Sequence, residues 1–133
     1  MSVELWGNLH DATIVEATGN VPGDLKLKLE IGYVRSRFSP EGDSFLLTLS
    51  NRDLFEFQPY DEPRISDLQQ IAQHEPWVVN PEQAEGHIHI YCSQGELFLN
   101  YTDYSLQLDT GQEISVDQLE KEFDQYWEEF GNR

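Results

Sequence analysis

Two histidines separated by one residue, His87 and His89, have the spacing best suited to chemistry in this sequence. Alternate side chains of a β-strand lie on the same face, and two imidazoles so placed can hold a transition-metal ion when another ligand converges on them. His10, His74 or Glu85 could supply that ligand. The other interpretation, which we adopt, leaves both histidines half-exposed on a polar sheet face, and the chain is then expected to use no metal ion or other cofactor.

Four acidic residues near the C-terminus, Asp117, Glu120, Asp124 and Glu128, form the second pattern. Their spacing stacks them along one flank of a helix, where each like-charged neighbour costs about 0.2–0.5 kcal/mol. A helix selected only for solubility would do better with alternating signs. We therefore predict that this flank binds a basic protein partner, and the other interpretation is a solvated face with no partner.

The sequence contains none of the common motifs of catalytic or nucleotide-binding sites. The sequence has no Gly-x-Ser-x-Gly elbow, phosphate-binding loop or dinucleotide-binding glycine motif. Because 25 Asp and Glu residues bring some carboxylates together in any fold, proximity alone nominates no general acid or base. We expect a non-enzymatic protein, and the alternative is a histidine-dependent metal-binding protein or small hydrolase.

The charge of the chain is strongly negative and unevenly distributed. The formal net charge is -17, and residues 1–60 carry 9 acidic and 5 basic side chains, whereas residues 61–133 carry 16 and 3. Nucleic acids and anionic membranes are bound through clustered cations, so this balance disfavours both as partners. It favours association with a cationic macromolecule.

Features that would indicate secretion or membrane insertion are missing from the sequence. The N-terminus lacks a cationic start followed by an apolar stretch, and no window approaches the roughly 20 apolar residues of a membrane span. A single cysteine, Cys92, allows no internal disulfide, and its strand parity with Ile88 and Ile90 predicts burial. We expect a cytoplasmic protein.

Period-two alternation of apolar and polar residues dominates the sequence and predicts an antiparallel sheet of about seven strands. Gly32 is expected at a bulge, and Asn51-Arg52-Asp53 is expected to turn a hairpin. The predicted strands are residues 12–17, 24–31, 45–49, 54–58, 87–92, 96–101 and 104–108.

Two segments instead have helical spacing. A short middle helix is predicted from Ser66, with Gln69 completing a capping box and Pro76 limiting its length, and an ordered loop with Trp77 as an aromatic plug follows to Gly86. Ser115 and Gln118 form a second capping box, which begins a C-terminal amphipathic helix expected to cover one face of the sheet. Its apolar stripe comprises Val116, Leu119, Phe123, Trp127 and Phe130. The whole chain, residues 1–133, is predicted to be a single α+β domain.

The N-terminal segment resembles a known class of proteins. An aromatic residue, Trp6, precedes a Leu-His-Asp-Ala motif containing His10 and Asp11, and two strands follow. This arrangement is similar to the opening of small bacterial immunity proteins of polymorphic toxin systems and of related uncharacterised domains. The resemblance implies a protein that binds and neutralises a toxin, such as a basic nuclease, inside the producing cell. In this segment His10 and Asp11 either satisfy backbone groups at the start of the strand or have a functional role.

Overall fold

The computed structural model describes residues 3–131, which form one antiparallel sheet of seven strands with four helices. The strands are β1 (Thr13–Gly19), β2 (Gly23–Glu30), β3 (Phe45–Pro59), β4 (Val78–Ala84), β5 (His87–Cys92), β6 (Gly95–Leu108) and β7 (Glu113–Ile114). The helices are α1 (Val3–Gly7), α2 (Gly32–Arg35), α3 (Leu68–Gln73) and α4 (Val116–Gly131). The sheet order is β1-β2-β3-β6-β5-β4, with β7 paired to β6. The predicted α+β class with an antiparallel sheet is confirmed.

The sheet curls until its two outer strands meet. Thr13, at the start of β1, forms an antiparallel bridge with Trp77, just before β4. The backbone N–H of Ile14 donates to the carbonyl of Pro76, and that of Val78 donates to the carbonyl of Ala12. This seam brings the segment around residue 11 next to the segment around residue 77.

Two long strands replace the hairpin predicted at Asn51-Arg52-Asp53 and the break predicted between the strands 96–101 and 104–108. β3 runs without interruption across the first site and β6 across the second, and their mutual register shifts between Leu49 and Phe55. The side-chain oxygen of Asn100 accepts hydrogen bonds from the backbone N–H groups of Asp53 and Leu54. The hairpin prediction is therefore wrong, because a partner on another strand satisfies the irregular backbone and leaves a bulge instead of a turn.

Three other local predictions are also wrong. Gly32 begins the short helix α2 and does not form a bulge, and residues 78–84 of the predicted loop form the outer strand β4. Pro81 is compatible with that strand because β4 lies at one end of the sheet order, where a missing backbone donor is tolerated. The middle helix is capped by Asp67, whose side chain accepts from the backbone N–H of Gln70, instead of by Ser66.

The core lies on the inner face of the curled sheet and is built by the alternation that the sequence displays. Leu25, Leu27 and Leu29 of β2 are all buried, and Cys92 is buried as predicted. At α4 the predicted capping box is confirmed, since Ser115 Oγ accepts from the backbone N–H of Gln118 while the Gln118 side chain accepts from that of Ser115. None of the helices in residues 3–131 is both long enough and apolar enough to cross a membrane.

Candidate functional site

The predicted acidic residues form one exposed flank of α4. Asp117, Glu120, Asp124 and Glu128 are all exposed, and we call them the acidic flank. None of them belongs to an ion pair formed within residues 3–131. Their negative charge is therefore directed into solvent without a countercharge from the described part of the chain.

Aromatic side chains occupy the neighbouring side of the same helix. Tyr33 of α2 packs among them, with its ring centroid 4.6 Å from that of Tyr126, 5.9 Å from that of Trp127 and 6.0 Å from that of Phe123. Trp127 remains 45% exposed and Phe130 55% exposed. The apolar stripe predicted for α4 thus packs against the molecule in its first half and leaves two large rings in solvent in its second half.

Arg37 and Leu119 hold α4 in this position. The Arg37 guanidinium donates to Glu122 Oε2 at 2.9 Å and to Glu129 Oε2 at 2.8 Å. Leu119 is completely buried in the core. Both carboxylates bonded by Arg37 lie on the flank of α4 opposite the acidic flank, so the packing of the helix leaves the acidic flank uncovered.

Asp11 lies at the sheet seam and links the aromatic rings of two distant segments. Its Oδ2 accepts a hydrogen bond of 2.7 Å from the Tyr33 hydroxyl, and its Oδ1 accepts one of 3.3 Å from the Trp77 indole N–H. Burial, the hydrogen bond to Asp11 and nearby negative charge all raise the pKa of Tyr33, so its hydroxyl remains a proton donor at neutral pH. Tyr33 in turn contacts Trp127, and the aromatic face defined by Tyr33, Trp77, Tyr126, Trp127 and Phe130 is therefore linked through Asp11 and Tyr33.

His10 is engaged on both sides of its ring. Its Nδ1 lies 2.7 Å from the carbonyl oxygen of Val79, and its Nε2 lies 3.4 Å from Asp11 Oδ1. Both ring nitrogens of His10 therefore face oxygen atoms of the protein itself. Of the three residues singled out in the N-terminal motif, Trp6 is fully buried in the core, whereas His10 and Asp11 lie at the surface seam.

Within residues 3–131, no third His, Cys, Asp or Glu side chain joins the histidine pair on β5 to complete a metal centre. His89 stacks on Phe98 at 4.6 Å, with its Nε2 3.5 Å from Glu96 Oε1, and His87 Nδ1 lies 3.2 Å from the backbone oxygen of Glu85. His10 lies at the seam, and His74 lies beside Phe57 and Glu62.

Across residues 3–131, the one group of three side chains whose possible ligand atoms lie within 4.8 Å of one another is Glu4, Asp117 and Glu120. The alternative metal site of His87 and His89 therefore lacks geometric support.

Sequence reasoning missed Tyr33 and misplaced Trp77. Tyr33 lies 22 residues from Asp11, and Trp77 lies 66 residues from it, so no local spacing relates them. The plug predicted at Trp77 is wrong, because its ring is 45% exposed beside the seam. The one available signal was the prevalence of tryptophan and tyrosine in a small polar chain.

Comparison of the chain with protein-family models, with curated proteins of described function and with solved structures finds no match.

Proposed function

We propose that this protein is a non-enzymatic, protein-binding domain that acts in the bacterial cytoplasm, where it binds a basic toxin such as a nuclease and neutralises it as immunity proteins do. The observation that carries the proposal is the juxtaposition, on α4, of four exposed carboxylates without ion-pair partners in residues 3–131 and the exposed ring of Trp127. The N-terminal resemblance to immunity proteins supports the same class of function.

The geometry of a helix places these two features side by side. With about 100° between successive residues, the acidic flank occupies an arc of roughly 80°, and Trp127 lies about 20° beyond Glu120. A partner that touches the acidic flank therefore also reaches Trp127. Tryptophan at the centre of an interface is the residue type that most often contributes a large share of the binding energy.

Electrostatics gives the two features different roles in binding. Positive charge on the partner accelerates its diffusional encounter with the acidic flank and relieves the repulsion among the four carboxylates. This electrostatic contribution weakens as salt screens the charges. Burial of an aromatic ring slows dissociation and depends little on salt. The proposal thus predicts two separable kinetic effects from one helix.

The test begins with affinity capture of the partner from extracts of the native organism and its identification by mass spectrometry. Association of the purified pair is then measured for a variant with a neutralised acidic flank, Asp117→Asn, Glu120→Gln, Asp124→Asn and Glu128→Gln. A control variant makes the same charge change at exposed carboxylates outside α4, namely Glu16→Gln, Asp24→Asn, Asp61→Asn and Glu85→Gln.

We expect the flank variant to fold normally and to reduce the association rate by about ten-fold at low salt, and the control to reduce it much less. Trp127→Ala should instead accelerate dissociation. The captured protein should be basic, and its toxicity in cells should disappear when this protein is co-expressed. Equal association by the flank and control variants would remove α4 from the interface, and undiminished toxicity would refute neutralisation.

A further inference from the structure

We infer that the carboxylate of Asp11, with the rings of Tyr33 and Trp77, forms a binding site for a single arginine guanidinium. We call these three residues the Asp11 site. The inference rests on the proposed function in one respect, namely that the arginine belongs to the basic protein partner. The site itself is testable with a small peptide, so its failure and the failure of the α4 interface are distinguishable.

The negative charge of Asp11 is held in place without a permanent countercharge from residues 3–131, since the His10 ring beside it is charged only when protonated. Both donors to its carboxylate, the Tyr33 hydroxyl and the Trp77 indole N–H, are uncharged groups. No Lys or Arg of residues 3–131 pairs with it, and its one ion-pair contact is the His10 ring at 3.4 Å. An ionised carboxylate accepts about four hydrogen bonds, so acceptor capacity remains. The side chain is 26% exposed, so an incoming donor can reach it.

The surroundings of this carboxylate fit a guanidinium better than an ammonium ion. A guanidinium is planar, weakly hydrated and able to stack on an aromatic ring while it donates to a carboxylate. Trp77 presents such a ring, 45% exposed, and its indole N–H contacts the same carboxylate. Through Tyr33 the site continues to Trp127 beside the acidic flank. A single protein partner can therefore contact the Asp11 site and the acidic flank together.

The site is preorganised by the sheet seam. The backbone N–H of Asp11 donates to the carbonyl of Val78 at 2.9 Å, and Tyr33 is packed against α4. Asp11 has a φ of 74°, a left-handed conformation that asparagine and aspartate tolerate better than other side chains. A rigid site loses less entropy when a ligand binds. The same conformation makes Asp11→Asn a suitable variant, because it removes the charge and retains an acceptor.

The experiment is a titration followed by the tryptophan indole N–H resonances, at pH 8 and low ionic strength. The probe is acetyl-Gly-Arg-Gly-amide, and its uncharged isostere contains citrulline in place of arginine. The chain has three tryptophans, and the signal of Trp77 is assigned with Trp77→Phe. Buried Trp6 serves as an internal reference. Asp61→Asn is the matched control variant, since Asp61 is an exposed aspartate with a φ of 63°.

We expect the arginine peptide to shift the Trp77 signal saturably, with a Kd of about 1–10 mM, and the citrulline peptide to bind at least ~10-fold more weakly. Asp11→Asn should produce a similar loss, and Asp61→Asn should leave the binding unchanged. Equal binding of the two peptides, or a Trp77 signal that does not move, would overturn the inference. Full binding to folded Asp11→Asn would overturn it as well.

Discussion

Methionine in place of Arg35 should destabilise the folded protein by about 4 kcal/mol, because Arg35 is a buried cation whose partners depend on it. Its side chain is 1% exposed. The guanidinium donates to Asp109 Oδ1 at 2.7 Å, to the Glu41 carbonyl at 2.6 Å and to the Ser44 carbonyl at 2.9 Å. A fourth contact, to the Ser39 carbonyl at 3.3 Å, is longer and contributes less.

The magnitude follows from the three short bonds. Each hydrogen bond to a charged group contributes a net stabilisation of about 1.5–3 kcal/mol, so their sum is about 4.5–9 kcal/mol. The desolvation of Arg35 opposes this sum, and breaking one side of a buried ion pair typically costs about 3–5 kcal/mol. A loss of 4 kcal/mol corresponds to roughly a thousand-fold change in the unfolding equilibrium. This loss is a large part of the total free energy of unfolding of an ordinary domain, about 5–15 kcal/mol.

Urea denaturation followed by tryptophan fluorescence measures this free energy of unfolding. Arg52→Met is the matched control, since Arg52 is exposed and forms no ion pair within residues 3–131, and its loss should change stability by no more than about 0.5 kcal/mol. A loss of less than about 1 kcal/mol for Arg35→Met would instead mean that the buried guanidinium contacts contribute no more than an exposed charge does.

The ion pair of Arg35 and Asp109 also makes the stability of the fold depend on pH. Partial burial favours protonated Asp109, but hydrogen bonds from the Asp43 backbone N–H and from Arg35 outweigh it and hold the pKa of Asp109 well below its usual range. A carboxyl whose pKa is lower in the folded state stabilises the fold above its unfolded pKa of about 3.9 and loses that stabilisation as the pH falls. The free energy of unfolding of Asp109→Asn should therefore fall less steeply with decreasing pH than that of the wild-type protein. The same pH dependence in both proteins would contradict this role of Asp109.

Three further outcomes follow from buried groups. Burial raises the pKa of the Cys92 thiol to about 12, so native protein at pH 8 should react with a thiol reagent far more slowly than denatured protein, and rapid native labelling would contradict that burial. Asn100→Ala leaves two backbone donors of the β3 bulge without their acceptor and should cost about 2–4 kcal/mol in urea denaturation, whereas a loss below 1 kcal/mol would mean that water replaces the side chain. Leu119→Ala should cost about 2–5 kcal/mol and Phe130→Ala about 0.5 kcal/mol or less in the same assay, and equal losses would place the end of α4 in the core.

Much of the fold could be predicted because its signals are local. The alternation of Leu25, Leu27 and Leu29 is a property of neighbouring residues, and a strand with one buried face requires it. The Ser115–Gln118 capping box is likewise complete within four residues and correctly marks the start of α4. Such features depend on the chain a few residues away, so the sequence displays them directly.

Two of the wrong predictions fall where a distant partner replaces local chemistry. Asn51-Arg52-Asp53 has the composition of a turn, yet β3 continues through it with a bulge, because the Asn100 side chain on another strand accepts from its backbone N–H groups. Pro81 is a residue type that indicates a loop, although it lies in β4 at one end of the sheet order. In both cases the decisive hydrogen bonds or pairing positions belong to residues far away in the sequence.

The candidate site likewise combines features that are local in the sequence with contacts that form only on folding. The net charge, the exposed acidic flank of α4 and the alternation that requires a sheet can all be predicted from the sequence, because charge and periodicity are properties of the chain. The contact of Asp11 with Tyr33 and Trp77 beside that helix is instead a property of the folded chain. Their meeting depends on the curling of the sheet until β1 reaches the segment before β4, and such closure results from the packing of the entire core, which no short segment encodes.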